Sequence, residues 1–391
     1  MRTRSYLFIP AIFIVLITAC SRYNVVHVQK TTEVSKRSGI YYNLPKTIVT
    51  IDVTITKTEK IKGPYAQYAQ KYLGISNVNT ANTTSYEISD IAFDTYTEPD
   101  SSQYYCIELN KCQKKRQSFF LSLSESGMIQ SLNAKPDIKE VQNNSAKTNN
   151  DLTGNTDNYN YFAESNLFEK IDTIIEKVNL DTTIIEKKTY KRSWVEKSPE
   201  LKAKEAADFI MRTKESRFNL LSGSAEVPYE KASVEYMNDK LELLENDFLS
   251  LFTGISKTKK LIYRFTYIPE ASKTGNVEKL FLFSSKEGIV DSTSTDWETI
   301  ELQLDKKNIT NTLSTFIDSK NKISGKKHGL YYRIPEYGVI SVKQGSVIKT
   351  SATFLINQLG VVNSLPPKKN HIQFYPNSGA VKTIRMGRYH R

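Results

Sequence analysis

Gly39-Ile40-Tyr41-Tyr42-Asn43-Leu44-Pro45 returns near the far end of the chain as Gly329-Leu330-Tyr331-Tyr332-Arg333-Ile334-Pro335. After the first copy, Ile48, Val49, Ile51, Val53 and Ile55 alternate with Thr50, Asp52, Thr54 and Thr56, the period-two pattern of a half-buried strand. After the second copy only Val339 keeps that spacing, and Ile340 and Val342 resume it one residue along. A shorter element occurs three times, as Gly127-Met128-Ile129-Gln130-Ser131, Gly288-Ile289-Val290-Asp291-Ser292 and Gly360-Val361-Val362-Asn363-Ser364. An apolar run precedes each, at 120–123, 280–283 and 354–356, so each reads as strand, glycine turn, strand. Both long copies stand upstream of a short one. The pattern predicts two related β modules, one toward each end of the chain.

Between them lies the clearest helical signal. Ser198-Pro199 is an N-cap followed by proline at the first helical position, and the helix should run to about Leu221, before Gly223. A second helix begins near Tyr229, carries Met237, Leu241, Leu244, Phe248 and Leu251 at alternating spacings of four and three, and is closed by Gly254. A short break containing Gly223 and Pro228 makes the pair an antiparallel hairpin. Arg212, Lys214 and Arg217 should then lie opposite Asp239, Glu242 and Glu245, with the apolar seam packed on the chain's own sheet. Gly63 to Gly74 predicts a further two turns of helix with Tyr65, Tyr68, Ala69 and Tyr72 on one face.

The fold class expected is α+β, mostly β: two related antiparallel β modules, sandwich- or barrel-like, joined by an α-helical hairpin. The boundaries are a signal peptide at 1–19, a tether at 20–38, an N-terminal β module at 39–133 and an Asn/Thr-rich linker or insertion at 134–160. A connecting segment follows at 161–197, the helical hairpin at 198–254, and a C-terminal β module with a basic tail at 255–391.

Met1-Arg2-Thr3-Arg4 is a basic n-region, and an apolar run from Tyr6 to Ile17 leads into Ile17-Thr18-Ala19-Cys20. The run is too short to span a bilayer comfortably, so it reads as a secretory signal. Its last four residues look like a bacterial lipobox, with small residues before the cut and a thiol to receive the lipid; an ordinary signal with a chance cysteine is the alternative. Two or more acyl chains on Cys20 would make a stable anchor. Ser21 in place of an acid favours the outer membrane, and Arg22-Tyr23-Asn24, with no acidic cluster, favours the face toward the periplasm. Cys106 and Cys112, six residues apart around Asn110, would then meet an oxidising compartment, where a local disulfide is expected over two separate thiols.

Five stretches carry a family resemblance: the two long repeats, Gly63-Pro64-Tyr65-Ala66, Arg217-Phe218-Asn219-Leu220-Leu221-Ser222-Gly223 and Leu251-Phe252-Thr253-Gly254. With them the chain resembles an uncharacterised, domain-of-unknown-function family of Bacteroidetes envelope lipoproteins, over nearly the whole mature length. The resemblance implies an outer-membrane lipoprotein, brings no catalytic or binding residues with it, and makes the stretch near 134–160 look like an insertion.

Length and composition narrow the function classes. At 391 residues, 39% hydrophobic and 25% charged, the chain is neither a polytopic membrane protein nor wholly disordered. Three cysteines exclude a disulfide-stapled miniprotein and a four-thiolate metal site. Four scattered histidines, His27, His328, His371 and His390, offer little for histidine chemistry, and His328 with His371 lacks marked metal partners. No phosphate loop, nucleophile elbow or His-Glu-x-x-His helix is present. Asp90 and Asp94 form a possible carboxylate pair in a loop-like region, without further support for acid–base chemistry. No catalytic residue, metal or cofactor is expected.

Net charge is +12, falling to +10 once the signal takes Arg2 and Arg4 away. After Glu336 there is no acid in the last 55 residues, which carry eight Lys and Arg. In the periplasm such charge would meet anionic lipid, peptidoglycan carboxylates or an acidic protein, and nucleic acid is not an expected partner. Adjacent tyrosines in the long repeats point to opposite strand faces, so one of each pair should be exposed. Tyr41, Tyr331, Lys368, Lys369, Lys382 and Arg385 are therefore the candidate interaction residues, for an envelope protein partner or a glycan.

Overall fold

A computed structural model describes residues 23–28, 39–109, 120–134, 166–180, 183–224, 230–324, 329–365 and 370–386. The two long repeats open the two longest hairpins. In the first, β2 (Ile40–Ile61) pairs antiparallel with β3 (Thr83–Leu109); in the second, β12 (Leu330–Gln344) pairs with β13 (Val347–Leu365). Both hairpins break register beside the repeat's proline, just before Pro45 in the first and across Pro335 in the second. Asn43 to Pro45 faces Tyr104 to Pro99, and Ile334 to Glu336 faces Val361 to Ile356, two steps against five in each case. The residue left out of the pairing is Leu44 in the first copy and Pro335 in the second, one repeat position apart. The cause of the bulge is visible in the side chains: proline cannot donate to the ladder, and a bulge is where a strand tolerates it.

The bulge lets each long strand serve two cores. Before it, Tyr42, Leu44 and Leu330 pack with Val25, Tyr105, Ile107, Ile129, Leu132, Leu365, Ile372 and Phe374. Beyond it, Val49, Ile51, Val53, Ile55, Ile340, Val342, Ile356 and Leu359 pack with Tyr267, Phe281, Phe283, Ile300, Leu302 and Leu304. The period-two pattern read after Pro45 is therefore an inward face, with Ile51, Val53 and Ile55 fully buried.

Three sheets surround these cores. β1 (Tyr23–Val28), β3, β2 and β8 (Ile255–Tyr267) form the first, in that order. β10 (Gly288–Val290), β9 (Val277–Ser284), β11 (Glu298–Lys306), β12 and β13 form the second. β15 (Val381–Met386), β14 (Asn370–Phe374), β5 (Ile129–Leu132) and β4 (Leu121–Leu123) form the third. A fourth, two-stranded sheet joins β6 (Leu167–Leu180) to β7 (Thr183–Glu196).

The mostly-β α+β class holds, but the related halves are interlaced. β8, expected in the C-terminal module, lies along β2 from Val49↔Tyr267 to Ile61↔Ile255. β5, expected in the N-terminal module, pairs with β14 through Ile372↔Leu132. Residues expected as tether also contribute, since Tyr23–Val28 form β1 against β3. Gly127 and Gly288 take the expected turn conformation, at φ 85° and 84°. Gly360 does not; it sits inside β13, where a Cβ would overlap the Ile334 carbonyl oxygen across the bulge.

The helical hairpin forms as read. α1 (Ala69–Leu73) follows a 3₁₀ turn at Ala66–Tyr68, α2 spans Pro199–Ser222 and α3 spans Lys231–Thr253. Ser198 Oγ accepts from Leu201 N at 3.2 Å, capping α2. Ala203, Ala206, Ala207 and Ile210 meet Phe248, Leu251 and Phe252, with Phe209 stacked on Phe248 at 4.2 Å. This seam rests on Tyr65, Tyr68, Ala69 and Tyr72, not on a sheet as expected, because α1 is the apolar face nearest its base. A fourth helix, α4 (Asn311–Ser324), lies between β11 and β12.

Candidate functional site

The two bulges meet in a buried polar junction. Arg333, standing in the second repeat where Asn43 stands in the first, donates from Nη1 to Pro45 O at 2.5 Å and from Nη2 to Asp100 Oδ2 at 2.6 Å. Asp100 Oδ1 accepts from Ser102 N at 3.0 Å and Ser102 Oγ at 2.7 Å. Burial pushes the Asp100 carboxyl up, but the Ser102 hydrogen bonds and the Arg333 guanidinium outweigh it and hold the group below its ordinary range. Gln358 clamps the other hairpin like a rung of sheet: Thr47 N donates to its Oε1 at 2.8 Å and its Nε2 donates to Thr47 O at 2.7 Å. Glu336, fully buried, accepts from Thr310 N and Oγ1, both at 2.7 Å, and from Tyr337 N at 2.8 Å, tying the start of α4 to β12. Burial raises this carboxyl too, and those donors together with the Ile309 N–H bring it below normal.

Tyrosines of the repeats complete the junction. Tyr105 stacks between Tyr42, at 5.5 Å, and Tyr331, at 4.6 Å, and Tyr331 N donates to Tyr42 Oη at 3.0 Å. Burial, with the neighbouring Tyr331, pushes the Tyr105 hydroxyl up to about 12. The space among Tyr42, Pro45, Met128, Tyr331 and Phe374 is about 10 Å³, room for a single water at most. These polar groups are spent on one another, and the arrangement fastens two hairpins together instead of presenting donors to a ligand.

Of the interaction residues expected from sequence, Tyr41 is half-buried in β2, and Tyr331 is half-buried with one ring face on Tyr105. Lys382 and Arg385 are exposed on β15, Lys382 lying 5.8 Å from the Tyr375 ring centre and Arg385 in register with His371. Lys368, Lys369, Cys20, Cys112 and His328 lie outside the described residues. Cys106 is fully buried in β3, in register with Val26 and Tyr41. Asp90 and Asp94, placed in a loop by sequence, are exposed positions of β3 opposite Thr54 and Thr50. His371 Nδ1 faces Asn133 O. Among the described residues no group of His, Cys, Asp and Glu is arranged to hold a metal ion.

A strongly exposed apolar surface among the described residues lies in the connecting segment 161–197. β6 and β7 form a ribbon whose opposed pairs run from Leu167↔Glu196 to Leu180↔Thr183. One face presents Ile171, Ile175, Tyr190 and Trp194, respectively 52%, 51%, 64% and 68% exposed. The other carries Lys170, Asp172, Glu176, Lys187 and Lys191 around Ile174. The base of the ribbon is held to α2, with Lys197 Nζ on Glu205 Oε2 at 2.8 Å and Lys202 Nζ on Glu196 Oε1 at 3.4 Å. The helical hairpin adds a second apolar surface. Past the α1 base its seam turns polar, Arg217 reaching Asn238 at 3.1 Å, Glu245 at 2.9 Å and Glu242 at 3.4 Å. Beside that seam, Leu220, Tyr236, Met237 and Leu241 line an open groove of about 360 Å³.

A detectable sequence signal for the ribbon exists. Thr173-Ile174-Ile175-Glu176-Lys177 recurs as Thr183-Ile184-Ile185-Glu186-Lys187. Folded back on itself, this repeat puts Glu176 opposite Lys187 and Lys177 opposite Glu186.

Residues 38–382 match the model of a family described as a domain of unknown function, DUF4831. No curated protein and no solved structure matches the chain.

Proposed function

The chain belongs to the DUF4831 family, and from that premise we propose that it is a non-enzymatic lipoprotein of the Bacteroidetes type, acting as a structural or protein-interaction component of the cell envelope. Cys20 is the lipidation site and the anchor, holding the protein at the outer membrane on the periplasmic side. The observation that carries the interaction role is the contrast between the two kinds of polar and apolar surface. The junction around Arg333 and Asp100 is closed and internally paired, while large apolar side chains stand exposed on the β6–β7 ribbon and along the helical hairpin. Exposed apolar patches of this kind mark protein contacts. Lys382 and Arg385 add a basic edge at β15 that suits an acidic envelope partner. The alternative, glycan or peptidoglycan binding through Tyr41 and Tyr331, draws less support, because both are half-buried and Tyr331 lies against Tyr105.

Isolation of the native protein from membranes in mild detergent tests the reading. Co-purification of a different envelope protein in fixed proportion is the expected result, and recovery without one removes the role. Palmitate labelling that persists in a Cys20→Ala variant removes the anchor.

A further inference from the structure

We propose that the apolar face of the β6–β7 ribbon is a self-association surface, covered by the same face of a second copy of this chain. A two-stranded ribbon is marginal in water unless something packs on it. Among the described residues, no other element of the fold packs extensively on Ile171, Ile175, Tyr190 or Trp194, each more than half exposed.

Three observations select a second copy. The first is size. Those four side chains offer on the order of 500 Å² per copy, so two faces together hide about 1,000 Å², the threshold of a specific interface, before the flanking stems are counted. The second is charge. On this face Arg192 Nε stands 3.6 Å from Glu169 Oε1, and Lys177 Nζ stands 3.9 Å from Glu186 Oε1. Lys188, opposite Ile175, adds one further cation to the face. Two matched pairs and a single extra cation leave little to repel an identical ribbon, and one cation falls short of the basic cluster by which an anionic lipid surface is recognised. The third is composition. The stretch 134–160 upstream of the ribbon is rich in Asn, Thr, Asp and Ser, and the large aromatic side chains close to the ribbon in sequence are limited to Tyr159, Tyr161 and Phe162, fewer than the face would need. The proposal holds whether or not Cys20 is lipidated; it assigns the ribbon face to self-association and leaves the helical-hairpin surface to an envelope partner, so co-purification of such a partner and self-association are read separately.

The test is sedimentation velocity of the full chain from about 1 to 100 μM. A monomer–dimer equilibrium is expected within that range, weakened at least about tenfold by Trp194→Ser with Ile171→Thr at unchanged melting temperature. Trp194 supplies a second readout, because the chain has only two tryptophans and Trp297→Phe leaves Trp194 alone. Its emission should shift to the blue as protein concentration rises. A monomer throughout, or a dimer indifferent to the double variant, overturns the proposal. So does a blue shift that needs phosphatidylglycerol vesicles, which assigns the face to lipid, or one independent of concentration, which assigns it to the same chain.

Discussion

At the scale of single residues, Arg333 shows how the two long hairpins depend on each other. Its guanidinium reaches across to Pro45 and Asp100, both in the first hairpin, and it is 7% exposed. Removing one partner of a buried ion pair leaves the other charge without compensation, so Arg333→Met should cost about 3–5 kcal/mol in urea unfolding. Acid acts on the same place. Asp100 and Glu336 have carboxyl groups held below their ordinary values in the folded chain. Their contribution is therefore complete above the unfolded carboxylate range and is lost as pH falls through the folded values. The urea midpoint should drop below about pH 4, and Asp100→Asn should flatten that dependence. Tyr105 works in the opposite direction. Its raised hydroxyl supports the fold up to the ordinary tyrosine range, and that support disappears as pH climbs toward about 12. None of these roles was legible in the sequence. Arg333 and Asp100 are far apart in the chain, and only the crossing of the two bulges sets them 2.6 Å apart.

Among the elements, helices were the easiest to read because their signals are local. Ser198, Pro199 and Gly223 mark both ends of α2, and Ser198→Ala should cost about 1 kcal/mol in thermal or urea unfolding. The ribbon was missed for a related reason. Both of its faces carry some apolar residues, so the period of two is blurred, and the Thr-Ile-Ile-Glu-Lys repeat acquires meaning only once the chain doubles back. Because its large side chains are exposed, Tyr190→Ser should change monomer stability by no more than about 0.5 kcal/mol, whereas Ile51→Ala, in the fully buried core, should cost about 2–5 kcal/mol. Urea unfolding at low concentration measures both. The glycine turns divide along the same line. Gly127 and Gly288 are local turns and were legible, while Gly360 answers to a carbonyl from another strand and was misread.

For the whole molecule, interlacing is the property with consequences. A fragment of residues 255–391 keeps the second repeat but loses β2 as the neighbour of β8 and β5 as the neighbour of β14. It should lack a fixed near-ultraviolet circular dichroism spectrum, and the full chain should unfold its β core in a single transition. The amino-acid sequence by itself determined the mostly-β character, the capped helical pair and the glycine turns at Gly127 and Gly288, since each depends on residues adjacent or nearly adjacent in the chain. Tertiary structure alone decided that the expected modules share sheets, that Tyr42 and Tyr331 stack on Tyr105, and that the ribbon's apolar face is left outside. Strand order, burial and the meeting of distant charges depend on long-range packing, and local pattern carries no record of which strand will lie beside which.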